Sequence, residues 1–318
     1  MAGKQKILID CDPGHDDAVA ILFAAHHLDL VGVTTVHGNS PLKNTTRNAL
    51  AVLELAGLDI PVAAGAAAPL ARLEEVRHTL HGKSGLDGAD IVAPKTRAVA
   101  AHAVDFIIEQ AARHKGELIV AITGPQTNIA LALKREPKLA KWVREFTIMG
   151  GSTTTGNVTP AAEFNIYCDP EAASVVFESG VPCRMVGYNV TRTTGFDKGD
   201  IDKLRKSRKR VAGVMADLMA FYLARQHDAY KLTIAPMHDV CAIVPYVDES
   251  LIRYVETSVR IELNGTHTRG MTVCDMRNLQ LGHRKIMRGY HEPNAKVAVE
   301  ARSRPLIDLV IDGLLSYR

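Results

Sequence analysis

The stretch that decides the fold is Asp10-Cys11-Asp12-Pro13-Gly14-His15-Asp16-Asp17, which follows an apolar run at residues 7–9. The apolar run is typical of a buried strand, and a helical pattern begins at Asp16. Four carboxylates therefore lie within eight residues, between a strand and a helix. Like charges this close raise one another's pKa unless a cation lies among them, and Ca²⁺ and Mg²⁺ prefer oxygen ligands. Helix capping explains only one or two of these aspartates, so the stretch predicts a metal site.

Short apolar runs alternate with longer helical patterns over the first 190 or so residues. The predicted strands are residues 7–9, 30–36, 60–63, 118–122, 146–149 and 183–186. The predicted helices are residues 16–26, 42–56, 98–114, 128–133 and 170–179. This alternation indicates an α/β fold, with a mainly parallel, doubly wound sheet and helices on both faces. Because ligands bind such sheets outside the carboxyl ends of the strands, the chemistry is expected in the loops that follow the strands.

The pattern changes after about residue 190, where a basic helical stretch covers residues 198–225. Further elements are predicted at residues 255–263, 295–299 and 305–315. We interpret this part as an elaboration of the same unit, which gives a single domain over residues 1–318. Two polar segments that contain Gly, residues 77–94 and 192–202, are predicted as long loops of the kind that often cover active sites.

Composition and charge favour a globular enzyme that acts on a small molecule. Hydrophobic residues make up 47% of the chain and charged residues 23%, which is enough to bury a sizeable core. The net charge of +3 comes from well-mixed signs, so it supports neither a nucleic-acid nor a membrane partner. The N-terminus lacks a signal-peptide pattern and charges or Gly interrupt each apolar run, so a soluble, cytoplasmic protein is expected.

The five cysteines are odd in number and widely scattered, and no C-x-x-C pair occurs among them. This usage suits reduced thiols and argues against a disulfide framework or a zinc site. The cysteines are interpreted as mostly small core residues: Cys11, Cys168, Cys183, Cys241 and Cys274.

Polar clusters follow the later predicted strands as well. They are Val36-His37-Gly38-Asn39, Thr123-Gly124-Pro125-Gln126-Thr127-Asn128, Met149-Gly150-Gly151, Gly156-Asn157 and the stretch at residues 163–170. Singly, such residues are typical of turns. Together, after consecutive strands, their amides and carboxylates suit a polyhydroxylated ligand, because a sugar diol both donates and accepts hydrogen bonds.

Two other kinds of aspartate-rich site are compared with the first stretch. An EF-hand needs Gly at position six and Glu at position twelve, whereas counting from Asp10 puts Gly14 fifth and Ile21 twelfth. A magnesium-dependent phosphatase of the haloacid dehalogenase type would use Asp10 as nucleophile and Asp12 as acid. That pattern expects Thr or Val at position 14, so this reading is the alternative and not the first choice.

The combined motifs resemble the inosine-uridine preferring nucleoside hydrolases. The resemblance runs from Lys6 to about Cys274 and rests on D-x-D-P-G-x-D-D, V-x-G-N, T-G-P-x-T-N, M-G-G, G-N-x-T-P-x-A-E-F-N-x-x-x-D-P and a late H-D. It implies hydrolysis of a ribonucleoside to ribose and free base, and a homodimer or homotetramer. It also implies a Ca²⁺ held by Asp12, Asp17, Asp239 and the backbone carbonyl of Thr123. The residues it implies for the ribose hydroxyls are Asp16, Asn39, Asn157, Glu163 and Asn165.

Catalytic roles follow from the same resemblance and from side-chain chemistry. Asp12 is the candidate general base for the attacking water, and a metal lowers the pKa of such a water. Histidine is the natural proton donor to a leaving base near neutral pH. His238, directly before Asp239, and His81, in a predicted loop, are the candidates. A non-catalytic nucleoside-binding protein is the third reading, and the intact Asp12 speaks against it.

Recognition of the base is assigned to the stretch at residues 221–230, read as a helix. Gln226 and Tyr230 are four residues apart, so their side chains share one helix face. The pyrimidine-preferring branch of the family has a Gln and a Tyr at similar spacing before the late H-D. The one tryptophan, Trp142, lies outside the motif loops, so stacking of a purine on tryptophan is not expected.

Overall fold

The elements below come from a computed structural model, which describes residues 3–71, 80–277, 283 and 286–317. The strands are β1 (Lys6–Cys11), β2 (Asp29–Thr35), β3 (Val62–Ala64), β4 (Ile119–Ile122), β5 (Glu145–Met149), β6 (Cys183–Val186), β7 (Gly195–Phe196), β8 (Ala235–Pro236), β9 (Ile252–Thr257), β10 (Val259–Ile261), β11 (Thr272–Cys274) and β12 (Ala295–Ala301). The helices are α1 (His15–His27), α2 (Leu42–Leu55), α3 (Ala103–Arg113), α4 (Thr127–Arg135), α5 (Leu139–Trp142), α6 (Phe164–Cys168), α7 (Pro170–Phe177), α8 (Tyr188–Thr191), α9 (Lys198–Lys206), α10 (Arg210–Tyr230), α11 (Val240–Ile243) and α12 (Ser303–Ser316). Two 3₁₀ helices span Val244–Tyr246 and Glu249–Leu251.

Eight strands form the central sheet in the order β3-β2-β1-β4-β5-β6-β12-β9. Neighbouring strands run parallel except β12 and β9, which are antiparallel. The chain builds outward from β1 through β2 and β3, then returns to add β4 on the other side of β1. The strand order therefore reverses between β1 and β4, and a crevice for ligands opens at such a switch point.

Helices cover both faces of the sheet because successive side chains of a strand point to opposite sides. In β1, Ile7 and Ile9 pack into one core with α1, α10 and α12. Leu8 between them packs into the other core with α3, α4 and α7. All three side chains are fully buried, and each stabilises the fold by about 1.5–3 kcal/mol. The predicted doubly wound α/β fold is thus confirmed.

The helix predicted from residue 98 and the loop predicted at residues 192–202 differ from the structure. The helix predicted from residue 98 begins at Ala103, because the backbone N–H of Val99 bonds to the Val62 carbonyl of β3 and not within a helix. The His102 side chain then caps the helix by accepting from the N–H of Val104. The loop predicted at residues 192–202 is shorter than expected.

The segment at residues 192–202 contains β7 and the start of α9. Asp197 accepts from the N–H of Asp200, whose carboxylate accepts from the N–H of Asp197, and this capping box starts α9. In the other predicted loop, residues 77–79 lie outside the described residues, and residues 80–94 contain neither helix nor strand. The basic stretch at 198–225 is divided between α9 and α10. In the described part of the chain, no helix is long and apolar enough to cross a bilayer.

Candidate active site

A polar pocket opens at the carboxyl ends of the central strands, where the strand order reverses. It encloses about 540 Å³ of space when its open mouth is included. Eleven of the residues predicted from the sequence line it: Asp16, Asn39, His81, Thr123, Asn157, Glu163, Asn165, Gln226, Tyr230, His238 and Asp239. The structure therefore brings together side chains that lie far apart in the chain.

Four buried aspartates lie in and beneath this pocket. The carboxylate oxygens of Asp16, Asp17 and Asp239 lie within 4.8 Å of one another. Burial, followed by the charges of the neighbouring carboxylates, raises the pKa of Asp12, Asp16 and Asp239 far above the usual value of 3.8. Burial also raises the pKa of Asp17. A cation placed among them would remove this penalty, because it stabilises the ionised form.

Asp12 follows β1 directly and is fully buried. Its Oδ2 accepts a hydrogen bond of 2.6 Å from the backbone N–H of Asn39, whereas its Oδ1 has no protein partner. Only Gly fits at position 38, since a Cβ there would lie 2.0 Å from Oδ2 of Asp12 and the backbone has φ +153°. A buried oxygen without a partner is costly, so Oδ1 is available to a cation or to water.

Thr123, the first residue after β4, connects the cluster to the pocket. Its hydroxyl donates to Asp17 Oδ1 (2.9 Å), and its carbonyl accepts from the Asn165 amide (2.8 Å). A carbonyl oxygen has two lone pairs, so this hydrogen bond leaves room for a metal contact. The three clustered carboxylates, the unpaired oxygen of Asp12 and this carbonyl fit a hard divalent cation. The individual ligand assignments stay predictions.

The side chains predicted for ribose are held by the backbone. Glu163 Oε2 accepts from the N–H groups of Gly151 (2.9 Å) and Ile166 (3.3 Å), which fixes it at the start of α6. Burial raises its pKa to about 7. The side-chain oxygen Oδ1 of Asn157 accepts from the backbone N–H of Phe164 (2.9 Å). These groups are therefore in place before any ligand arrives, as electrostatic preorganisation requires.

Two predicted histidines reach the pocket from different elements. His238 Nδ1 lies 2.7 Å from the Thr191 hydroxyl, at the end of α8. His81 Nδ1 lies 2.9 Å from Nδ1 of His15 in α1. Sequence reasoning missed His15 and also Tyr222, which lines the pocket and stacks on both His15 and His81. The available signal was that Tyr222 lies four residues before Gln226, hence on the same face of α10.

Gln226 and Tyr230 share one face of α10, as predicted, and both line the pocket. Gln226 is buried, whereas Tyr230 is 42% exposed and its hydroxyl donates to the Asn157 backbone carbonyl (3.4 Å). Trp142 lies in α5 beneath the ammonium group of Lys115, outside the pocket lining. A ligand with one end near the carboxylates would therefore have its other end against this face of α10.

Asp10 is not part of the pocket. It is fully buried, and its Oδ1 accepts from the Thr34 hydroxyl and from the Asn128 amide. A phosphatase nucleophile must contact the substrate, so this placement contradicts the alternative in which Asp10 attacks a phosphate.

The cluster makes stability depend on pH when a chelator removes cations. Burial raises the pKa of Asp16 to about 8 and of Glu163 to about 7, so the folded chain keeps protons that the unfolded chain loses. Buried histidines act oppositely, since burial lowers the pKa of His15 from 6.5 to about 4, but their effect fades as the pH rises past 6.5. From pH 6.5 to 8, each retained proton should lower the free energy of unfolding by about 1.4 kcal/mol per pH unit.

Urea unfolding of the chelated protein at pH 6.5, 7 and 8 measures this slope. A bound divalent cation should flatten it, because the cation and not a proton then neutralises the carboxylates. A chelated protein whose stability is constant or rises over this interval would contradict the prediction.

A doubly wound α/β sheet with buried carboxylates under a preformed polar pocket is the architecture of an enzyme that acts on a small polar substrate. The family described as inosine-uridine preferring nucleoside hydrolase matches residues 7–307, and the chain belongs to this family. It is therefore a ribonucleoside hydrolase, an enzyme that cleaves the N-glycosidic bond. This finding also sets aside the phosphatase and the non-catalytic alternatives.

Individual relatives agree with this assignment. The pyrimidine-specific ribonucleoside hydrolase RihA of Photobacterium profundum is 40% identical over 318 residues, which covers 99% of this chain and 100% of that protein. The pyrimidine-specific ribonucleoside hydrolase RihB of Escherichia coli (strain K12) is 40% identical over 275 residues, covering 86% of this chain and 88% of that one.

Solved structures agree as well. The plant nucleoside hydrolase PpNRh1 superimposes with a TM-score of 0.91 at 32% identity, over 98% of this chain and 99% of its own. A purine-preferring ribonucleoside hydrolase from Gardnerella vaginalis gives 0.90 at 28% identity, over 98% of both chains. Relatives with different base preferences thus share this fold, so the fold alone leaves the base open.

Proposed function

We propose that the chain hydrolyses pyrimidine ribonucleosides to ribose and free base, with a Ca²⁺ ion in the carboxylate cluster. The observation that carries the proposal is the group of buried carboxylates at the floor of a pocket whose walls offer amides, a carboxylate and histidines. The pyrimidine preference is supported by the names of the 40% identical relatives and by the Gln226 and Tyr230 pair on α10.

Asp12, Asp17, Asp239 and the Thr123 carbonyl would hold the ion. Calcium takes about 6–8 oxygens, so four protein ligands leave positions for water and a sugar diol. An ion held by these residues would supply a water molecule with a lowered pKa. Asp16 belongs to the clustered trio and lines the pocket, which suits a carboxylate that contacts the ribose beside the ion.

Asp12 acts as the general base. Its Oδ2 is fixed by the N–H of Asn39, and its unpaired Oδ1 can take a proton from the water that attacks the anomeric carbon. Burial favours the protonated carboxyl group, which makes Asp12 a stronger base than an exposed aspartate.

The ribose ring gains oxocarbenium character as the glycosidic bond breaks. Asn39, Glu163 and Asn165 line the pocket, and their hydrogen bonds to backbone groups fix them before the reaction starts. Fixed dipoles and charges stabilise a developing positive charge without reorganising. Asn157 completes the set predicted to bind the ribose hydroxyls.

The departing base needs either a proton or a group that stabilises its negative charge. His81 and His238 both line the pocket, and we assign them to this end of the reaction. Gln226 and Tyr230 on α10 are assigned to the same end, where they bind the base as it leaves.

The assay that tests the proposed function measures reducing sugar released from a panel of purine and pyrimidine ribonucleosides. It is run with chelator, and then with calcium added back, alongside elemental analysis of the purified protein. Release of ribose that is lost on chelation and restored by calcium is expected. Activity on none of the ribonucleosides would overturn the proposal, and full activity in chelator would overturn the calcium requirement.

Uridine and cytidine are expected to be cleaved faster than inosine, and Tyr230→Phe is expected to lower kcat more than it raises KM. The reason is that the Tyr230 hydroxyl helps the base to leave, which is an interaction made mainly in the transition state. Steady-state kinetics on uridine and inosine measures both effects.

Tyr290→Phe is the matched control, because that hydroxyl contacts exposed Glu292 outside the pocket. It should leave both constants unchanged. Faster cleavage of inosine than of uridine, or unchanged kinetics in Tyr230→Phe, would remove the α10 face from recognition of the base.

A further inference from the structure

Thr272, the first residue of β11, bonds twice to the backbone of one loop residue near the pocket. Its hydroxyl donates to the carbonyl oxygen of Ser152 (2.7 Å) and accepts from the N–H of the same residue (2.8 Å). Thr272 is 3% exposed and does not line the pocket. Because a hydroxyl group both donates and accepts, one side chain satisfies both backbone groups of Ser152.

The loop that Thr272 contacts follows β5 and consists of Gly150, Gly151 and Ser152. The N–H of Gly151 donates to Oε2 of Glu163 (2.9 Å), the carboxylate proposed to bind the ribose. The carbonyl oxygen of Gly151 accepts from the N–H of Tyr188 (2.8 Å), which also lines the pocket. The orientation of this loop therefore determines how Glu163 is presented to a ligand.

Gly151 needs a contact from outside the loop to keep this orientation. Its backbone is left-handed, with φ +69°, a conformation that glycine adopts without strain but also leaves easily. A Cβ at this position would lie 2.4 Å from Cγ2 of Thr272, so the threonine packs directly against the Gly151 backbone. Thr272 thus holds Gly151 with its methyl group and Ser152 with its hydroxyl group.

We propose that Thr272 is a positioning residue that fixes the N–H of Gly151 and, through it, the carboxylate of Glu163. The inference rests on the proposed role of Glu163 in binding the ribose. Thr272 lies outside the pocket and acts only through the loop. Such a residue affects the reaction because a displacement of about 1 Å in an active site can lower the rate about 100-fold.

Thr272 is itself held by the hairpin that contains it. β10 and β11 form an antiparallel pair in which Thr272 lies opposite Ile261. In the loop between these strands, Arg269 donates two hydrogen bonds to the carboxylate of Glu171 in α7 (2.9 and 3.0 Å), and both side chains are partly buried. The position of the Thr272 hydroxyl is therefore set by contacts outside the Gly151 loop.

Two substitutions separate the hydroxyl of Thr272 from the shape of its side chain. Thr272→Val removes the hydroxyl and keeps the shape, whereas Thr272→Ser keeps the hydroxyl and loses only the methyl group. Thr257→Val is the matched control, because Thr257 is also buried and its hydroxyl donates to a backbone carbonyl, that of Asp275 (2.7 Å), outside the pocket. Urea unfolding measures whether each variant is folded under the conditions of the assay.

Thr272→Val should lower kcat/KM on uridine about 10- to 100-fold, as expected when a group in the active site is displaced. Thr272→Ser should recover most of this loss, and Thr257→Val should leave kcat/KM unchanged. An unchanged kcat/KM in folded Thr272→Val would overturn the proposal. A loss in Thr272→Ser as large as that in Thr272→Val would also overturn it, because the hydroxyl would then not be the group that matters.

A double-mutant cycle tests whether Thr272 acts through Glu163. In a chain that already carries Glu163→Ala, Thr272→Val should lower kcat/KM little further, because the carboxylate that the loop positions is gone. A purely structural role of Thr272 would give the same fold-loss with and without Glu163→Ala, and that result would overturn the proposal.

Hydrogen exchange of the Gly151 amide, followed by NMR, tests the contact without turnover. Exchange should be about 10-fold faster in Thr272→Val than in the unsubstituted chain, because the hydrogen bonds of Thr272 oppose local opening of the loop. In Thr257→Val the exchange rate of Gly151 should not change. An unchanged rate in Thr272→Val would overturn the inference. If the unsubstituted chain cleaves no ribonucleoside, the proposed function fails, yet the exchange rate still decides whether Thr272 holds Gly151.

Discussion

Asp12→Asn is expected to lower kcat on uridine by about 10³-fold or more, since a general base contributes roughly 10²–10⁴ and the variant also loses the negative charge of a proposed metal ligand. An amide cannot take the proton of the attacking water, although it is nearly the same size as the carboxyl group. Binding of uridine should persist at reduced affinity, which equilibrium dialysis measures. Asp12→Ala should abolish turnover, because it also leaves the N–H of Asn39 without its acceptor.

Asp10→Asn is the matched control for this prediction. Asp10 lies two positions earlier, is equally buried, and bonds to Thr34 and Asn128 outside the pocket. An asparagine oxygen can keep both bonds, so activity should stay close to that of the unsubstituted chain. Near-normal rates in Asp12→Asn would remove Asp12 from the base role. A dead Asp10→Asn that still folds would revive the nucleophile reading.

The sequence alone predicts the scaffold because its signals are local. Residues 7–9 form part of β1, and the aspartates that follow lie at the end of this strand because a parallel strand and its helix are joined by a short loop. The boundary errors have a different source. Residues 98–102 have helical composition, but Val99 bonds to Val62 in β3, and no local pattern encodes that tertiary contact.

For the candidate site, the sequence predicts which residues line the pocket better than it predicts how those residues contact one another. Loops after the strands supply the residues, so the pocket lining follows from the topology. The contact between His15 and His81 joins positions 66 apart, and nothing in their spacing indicates it. Likewise, the resemblance implies Asp12 as a metal ligand, whereas the carboxylates within 4.8 Å of one another are those of Asp16, Asp17 and Asp239.

2′-Deoxyuridine is expected to be cleaved with a kcat/KM about 10⁴-fold below that of uridine. The pocket floor is built from buried polar groups, among them Asp16, Glu163 and Asn165, each less than a tenth exposed. A substrate that lacks one hydroxyl leaves such a group, and a coordination position of the Ca²⁺ ion proposed above, without a partner. A buried polar group that loses its partner carries a free-energy penalty, whereas an exposed group avoids it because water takes the partner's place.

5′-Deoxyuridine separates this effect from the general loss of a hydroxyl group. It keeps the vicinal diol, so its kcat/KM should fall much less than that of 2′-deoxyuridine. Calcium affinity supplies a second readout: uridine should tighten calcium binding, and 2′-deoxyuridine should not. If the diol of the substrate coordinates the ion, linkage requires that substrate and ion each increase the affinity of the protein for the other. Comparable rates on uridine and 2′-deoxyuridine would contradict the diol contact. They would leave the carboxylate cluster in place as a cation site, because Asp17 and Asp239 are close together whether or not a sugar binds.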